Sequence, residues 1–295
     1  MNPLLKAQIE RKRREYARQC SRRANPEHGW FWGSQFRDIP YVQDGEPAHT
    51  LDIYSPISHE EQVSVIINIH GGSFIMGSKA DNRHFCMRLC NHGFLVFSVE
   101  YRLCPEATVF DQLQDISAAM HYIEKKIPKF RGAPESIHMI GDDAGAFLAL
   151  YTAALHHNPK LARAAVIQPS SLNIRSMALI SGRFFITRRE SGAVLSSRML
   201  CGDDYRQHPF YPYLCLERLS RRFSIPPGIL ITSSRDSCYR DSWNLYESFP
   251  KIHTPFQIRD YGEDPHLYHA FCVAEPELPE SRMVIHDIVS FFHET

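Results

Sequence analysis

The stretch Met139 to Leu155, "MIGDDAGAFLALYTAAL", decides the fold. It opens on the end of an apolar strand, turns within a segment bounded by Gly141 and Gly145, and continues as an apolar helix rich in small residues. Strand, tight Gly-bounded turn and helix is the context in which a nucleophile is lifted above a sheet edge. Small residues at 141 and 145 permit the sharp turn, and the helix aims its N-terminus at residue 143. The residue at the tip, where such a turn usually carries Ser, is Asp143. Taken without its surroundings, the same pair of Asp beside two Gly reads as a loop or a helix N-cap.

The surroundings are strands alternating with helices. "VSVIINIH" and "FLVFSVEY" are nearly unbroken apolar runs, expected of strands buried on both faces of a parallel sheet. "DIPYVQD" and "HTLDIYSP", joined by "DGEP", read as an antiparallel pair. "SIHMIGD", "SMALISGRF", "PGILITSS" and "PFQIRDY" complete eight strands. Helices are expected over residues 4–24, Asn82–His92, Gln112–Lys126, Gly145–His157, "SWNLYESFP" and "SRMVIHDIVSFFHE", with "NPEHGWFWGS" as a turn-rich aromatic segment. The alternation predicts an α/β fold with a mostly parallel, doubly wound sheet. Residues 183–224, rich in Arg, Tyr and Pro, break it. They and residues 1–35 are expected to cap a core of 36–182 and 225–295. The basic face of the first helix reads as solvated.

Bulk composition narrows the partners. Among 295 residues, 33 Lys and Arg balance 33 Asp and Glu, so no global field points to nucleic acid. No segment reaches the ~20 apolar residues of a membrane span, and the eight Cys sit at irregular spacings. The expectation is a cytoplasmic protein with reduced thiols. Cys86 and Cys90 lie four apart without a second pair, so neither a metal nor a cofactor is expected.

Three further stations carry chemistry. "IHGGSF" leaves a strand end, and its paired glycines can turn backbone N–H groups toward a ligand, as oxyanion donors do. "SSRDSCYRDS" follows "GILIT" and places Asp236, with Asp241 as second choice, where open α/β sheets build sites. "DPHLYHAFC" follows the last strand and holds His266 and His269. The order of elbow, acid and His is that of the α/β-hydrolase triad.

Over about residues 40–295 the chain resembles the hormone-sensitive-lipase-like, or fold-3, esterases of the α/β hydrolases. The resemblance rests on "HGGSF" for the HGGG-type motif, "YRLCPE" at Tyr101–Glu106 for YRLAPE, "DQLQD" at Asp111–Asp115, "GDDAG" for GDSAG, "PPGILITSSRD", and "HAF" for the H-x-F around the histidine. It implies an eight-stranded α/β-hydrolase sheet with helices on both faces, a small helical cap, and a short-acyl ester or related apolar ligand. It also implies the possibility of a homodimer. Asp236 matches the acid, His269 the general base, and Gly71, Gly72 and Ala144 the oxyanion donors. Ser73 stands in for the third Gly, and Asp143 replaces the nucleophilic Ser.

That replacement decides the chemistry. A carboxylate attacking an ester forms an intermediate that expels the carboxylate, conjugate base of an acid of pKa about 4, far more readily than an alkoxide. The serine-type cycle is therefore expected to be nearly dead. Three readings follow: a silenced esterase; an Asp nucleophile acting at sp³ carbon, as in epoxide hydrolases and dehalogenases of this fold, with Tyr205, Tyr211 and Tyr213 available as electrophiles; and a non-catalytic small-ligand binder.

Overall fold

The apolar runs form strands β1 (Gly33–Pro40), β2 (Thr50–Pro56), β3 (Val63–Ile69), β4 (Leu95–Val99), β5 (Gly132–Asp142), β6 (Ile174–Ile180), β7 (Gly228–Thr232) and β8 (Phe256–Asp260). The computed structural model describes residues 3–22, 30–57, 61–187, 197–216, 218–219, 223–248 and 256–295. Within them the strands make one sheet in the order β1-β2-β4-β3-β5-β6-β7-β8. The pairs β1–β2 and β2–β4 run antiparallel and the others parallel. The helices are α1 (Pro3–Arg22), α2 (Arg83–Asn91), α3 (Val109–Lys126), α4 (Ala144–His157), α5 (Pro159–Ala164), α6 (Ser197–Cys201), α7 (Tyr239–Ser248), α8 (Phe271–Ala274) and α9 (Pro279–Glu294). Expectations for residues 23–29, 188–196, 217, 220–222 and 249–255 lie outside the described residues.

The nearly unbroken apolar run of β3 serves two cores at once. Val65, Ile67 and Ile69 face α3 and α4, while Ile66 faces Phe85, Phe94 and the α9 side. Burying each such side chain contributes about 1.5–3 kcal/mol. Every residue of α4 from Ala144 to Leu155 is buried, so this helix is apolar all round. One side lies on the sheet. The other meets Phe210, whose ring stands 5.8 Å from Tyr151, while the Tyr151 hydroxyl donates to the Tyr213 carbonyl at 3.0 Å.

Of the differences from expectation, two boundaries and one surface carry a clear physical reason. The first strand lies at 33–40 rather than 38–44: Asp38 takes φ 52° at a register shift, and the Tyr41 amide donates to the His49 carbonyl to close a longer turn. Helix α3 starts three residues early because Thr108 and Asp111 form a reciprocal capping box. Helix α1 is not only a solvated face. Ile9 is buried, and Arg13 donates to the Ile75 carbonyl at 2.6 Å and the Cys104 carbonyl at 2.9 Å while pairing with Glu106 at 2.7 Å.

Candidate active site

The sheet order sets the site. Pairing of β3 with β5 puts Ile69 beside Gly141, so the loop after β3 and the elbow after β5 emerge side by side at the carboxyl edge. Strands β6, β7 and β8 deliver Arg183, Asp236 and His269 to the same edge. A Cβ at Gly145 would stand 2.1 Å from the Ile69 carbonyl oxygen, so only glycine lets α4 start this close to the sheet. Asp143 takes φ 47° and ψ −112°, a conformation costly for an L-residue. It is held from both sides: its amide donates to the Ile180 carbonyl at 2.9 Å, and its carbonyl accepts the Arg183 amide at 3.1 Å.

The buried Asp143 carboxylate has donors on both oxygens. Oδ2 accepts the Ser73 amide at 2.5 Å, the Gly72 amide at 3.2 Å and the Ser73 hydroxyl at 3.2 Å. Oδ1 accepts Arg183 Nε at 3.1 Å and faces His269 Nε2 at 3.5 Å. On the other side of the imidazole, Nδ1 meets Asp236 Oδ1 at 2.6 Å. Asp236 is fixed in turn by the Cys238 amide at 2.8 Å and the Thr232 hydroxyl at 3.0 Å.

The charges follow from these contacts. Burial pushes the Asp143 carboxyl up, but the His269 contact, the Arg183 guanidinium and the Ser73 amide outweigh it and hold the group well below the usual range. Burial pulls the His269 imidazole down, and the carboxylates of Asp143 and Asp236 overcome it, raising the ring well above an ordinary histidine. Asp143 likewise raises Arg183. The site therefore rests as two carboxylates, an imidazolium and a guanidinium, with no net charge. Asp142 behaves oppositely: burial pushes it up to about 6, eased by the Asn82 side chain that donates to it at 2.7 Å and aggravated by the Asp143 charge.

The elbow, Asp236 and His269 come together; the second choices stand apart. His266 is exposed, with its amide on Asp264 Oδ1. Asp241, near the start of α7, accepts the amides of Phe184 and Phe185 and so fixes the loop that carries Arg183. The amides on Asp143 belong to Gly72 and Ser73, one residue later than the Gly71–Gly72 pair expected. Gly71 lies against the Asp142 carboxylate, where a Cβ would approach Oδ2 to 2.2 Å, and its carbonyl contacts the His70 ring at 2.7 Å. Ala144 is the buried first residue of α4. The rings of Tyr205 and Tyr211 pack edge to face at 4.8 Å, and Tyr213 packs on Phe223 at 5.4 Å.

Sequence reasoning missed Arg183, Cys238 and the Ser73 amide. Arg183 carried a usable signal, because it follows a strand end just as Asp236 does, but it stood at the first position given to the insert. Cys238, two residues beyond Asp236, places its thiol beside both His269 and Asp143.

A doubly wound sheet with an elbow, an acid and a histidine on one edge defines an α/β hydrolase. Residues 66–270 match the alpha/beta hydrolase fold family, and the chain belongs to it, as an esterase-like member of the hormone-sensitive-lipase type. The chain is 26% identical over 232 residues to the acetyl esterase of Salmonella schwarzengrund, covering 75% of this chain and 69% of that one. It is 32% identical over 124 residues to a probable isoprenylcysteine alpha-carbonyl methylesterase of Oryza sativa subsp. japonica. That match takes in 42% of this chain and only 29% of the relative's length. In structure it resembles inhibited esterase B from Lactobacillus rhamnosis, with a TM-score of 0.90 at 24% identity over 99% and 96% of the two chains. It also resembles a bacterial heroin esterase, at 0.73, 21%, 98% and 92%. These two likenesses speak to the fold. Among the described residues no helix is long and apolar enough to cross a membrane.

Proposed function

We propose that this chain is an esterase-family protein whose acyl-transfer site is shut by its own Asp143, and that its ligand is a small ester or related apolar molecule. One observation carries the reading: Asp143 Oδ2 takes the Gly72 and Ser73 amides that an ester's tetrahedral oxyanion would need. The His269 imidazolium between Asp143 and Asp236 supports it, because a ring already protonated cannot act as general base. With a serine at the elbow, both obstacles leave together. His269 Nε2 would take the hydroxyl proton, Asp236 would hold the imidazolium, and the two freed amides would receive the oxyanion.

The test is Asp143→Ser, assayed on p-nitrophenyl acetate and butyrate beside the unsubstituted chain. Triad knockouts cost on the order of 10⁴-fold or more, so the expected gain is saturable turnover at least 10³-fold above the parent, abolished by adding His269→Ala. A folded Asp143→Ser variant with no turnover above background overturns the reading.

A carboxylate nucleophile at sp³ carbon is the second reading, favoured by the division of labour between the Asp143 oxygens. One lies on the amides and the other faces the histidine, as that chemistry requires. Arg183 on Oδ1 counts against it, because it holds the attacking oxygen in an ion pair. Incubation with an epoxide panel decides: a mass increase on the peptide bearing Asp143, or diol formation, supports the nucleophile, and neither supports the closed site.

A further inference from the structure

Three donor groups of different kinds converge beside the elbow. One oxygen of Asp143, the thiol sulfur of Cys238 and a ring nitrogen of His269 all lie within 4.8 Å of one another. Asp143 and Cys238 are buried, and the His269 side chain is 30% exposed. Asp143 Oδ1 and His269 Nε2 stand 3.5 Å apart. Two ligand atoms each ~2.1 Å from a tetrahedral ion stand about 3.4 Å apart, so this pair already has the spacing a shared ion imposes.

The support around the donors points the same way. His269 Nδ1 is turned to Asp236 Oδ1 at 2.6 Å, which leaves Nε2 to face the cluster. A carboxylate behind the distal ring nitrogen is the arrangement that orients metal-bound histidines. The same Asp236 oxygen accepts the Cys238 amide at 2.8 Å, so one carboxylate fixes the positions of two of the three donors.

We infer that Asp143, Cys238 and His269 bind one zinc-class divalent ion, with Asp236 as the positioning residue behind the histidine and a fourth coordination position left for water or a ligand donor. A thiolate and an imidazole beside one carboxylate select a borderline-soft ion over magnesium or calcium, which take all-oxygen shells. The step balances. The ion enters, the Cys238 thiol and the His269 Nε2 each release a proton, and the Asp143–His269 ion pair is exchanged for three metal–ligand bonds. Before entry two carboxylates offset an imidazolium and a guanidinium. Afterwards the dication and Arg183 are offset by two carboxylates and a thiolate, so the site is uncharged in both states. Arg183 opposes the ion, since its guanidinium shares Asp143 Oδ1. The inference is independent of the proposed function and stands whether or not Asp143→Ser restores hydrolysis.

The test uses the whole chain, dialysed against a chelator and titrated with Zn²⁺ under native mass spectrometry and with Co²⁺ under visible absorption. The expected result is one ion per chain and a thiolate-to-cobalt charge-transfer band. Cys238→Ser should remove the band and weaken zinc at least 100-fold. Asp236→Asn should weaken zinc 10- to 100-fold by loosening the histidine. Arg183→Met should tighten it, an effect no zinc held elsewhere by the other cysteines and histidines would show. Zinc-edge X-ray absorption of the unsubstituted chain gives a readout without any variant: one sulfur at about 2.3 Å with nitrogen and oxygen neighbours at about 2.0–2.2 Å. Failure to take up one ion per chain, a shell without sulfur, or a cobalt band that survives Cys238→Ser each overturns the inference.

Discussion

Arg183 allows its coupling to Asp143 to be tested through stability alone. Its Nε lies 3.1 Å from Asp143 Oδ1. At an effective dielectric of ~20 the bare attraction over that distance is about 5 kcal/mol. The net value is smaller: the Arg183 side chain is 32% exposed, and Asp143 keeps the Ser73 and Gly72 amides and His269 when the guanidinium goes. Stripping one partner from a fully buried pair costs about 3–5 kcal/mol, so Arg183→Met should cost about 2–3 kcal/mol here. Asp143→Asn should also destabilise, because it leaves Arg183 and His269 facing each other without the charge that separates them. If the two residues are partners, the double variant should lose less than the sum of the singles, with a coupling of about 2 kcal/mol. Urea unfolding of the four proteins at pH 7 supplies the cycle. Losses that add to within about 0.5 kcal/mol would refute the argument, since that is how uncoupled sites behave.

Two other perturbations check the charge assignment and the tether of α1. The lowered Asp143 carboxyl stabilises the fold above pH ~4 and loses that contribution as pH falls toward its folded value; the raised His269 contributes fully below pH ~6.5 and loses it as pH climbs. Both are present together from about pH 4 to 6.5. Asp142, raised to about 6, removes stability as pH rises through the same interval, so the informative quantity is the parent-minus-Asp143→Asn difference. That difference should shrink above pH 6.5, and ¹⁵N NMR should show His269 titrating closer to neutrality in the variant; a His269 titration unmoved by Asp143→Asn refutes the assignment. Arg13→Ala removes bonds to the Ile75 and Cys104 carbonyls and should cost about 2 kcal/mol. Trypsin should then cut within Pro3–Arg22 faster than in the parent, and an unchanged cleavage rate would show that α1 is held by Ile9 packing alone.

The fold was legible because its strongest signals are local. An apolar run such as Val65 to Ile67 has to lie in the middle of a sheet, and Gly141 with Gly145 has to make a close turn, whatever the rest of the chain does. Order along the chain then placed Asp236 and His269 together, because parallel strands deliver their carboxyl ends to one edge. What stayed hidden is set by distances of under 4 Å between segments far apart in sequence. Nothing in "SGRF" says that the arginine bends back onto the elbow, 40 residues away, under amides held by Asp241. That the Asp143 carboxylate takes the amides of Gly72 and Ser73, while Gly71 lies against Asp142, depends on a fit within one loop that no periodicity encodes. Spacing in sequence pairs Cys238 with no other cysteine; its neighbours Asp143 and His269 come from the elbow after β5 and from the loop after β8.

An acting site at this edge would be expensive to maintain. It would hold two amides turned toward an absent oxyanion and an elbow residue at φ 47°, a conformation that costs about 1–3 kcal/mol. Asp143 leaves the strained backbone in place but fills the amides and ties Arg183, His269 and Asp236 into one neutral network. On the proposed reading, the groups that would stabilise a transition state instead hold the resting fold, the trade expected where activity and stability compete for the same groups. Opening the site should reverse it. Asp143→Ser surrenders the Arg183 pair and the carboxylate bonds to Gly72 and Ser73, so the substitution that gains turnover should also lose about 2–4 kcal/mol. If turnover appeared with the urea midpoint unchanged, the carboxylate would be contributing nothing to the fold, and the network around it would be proximity without coupling.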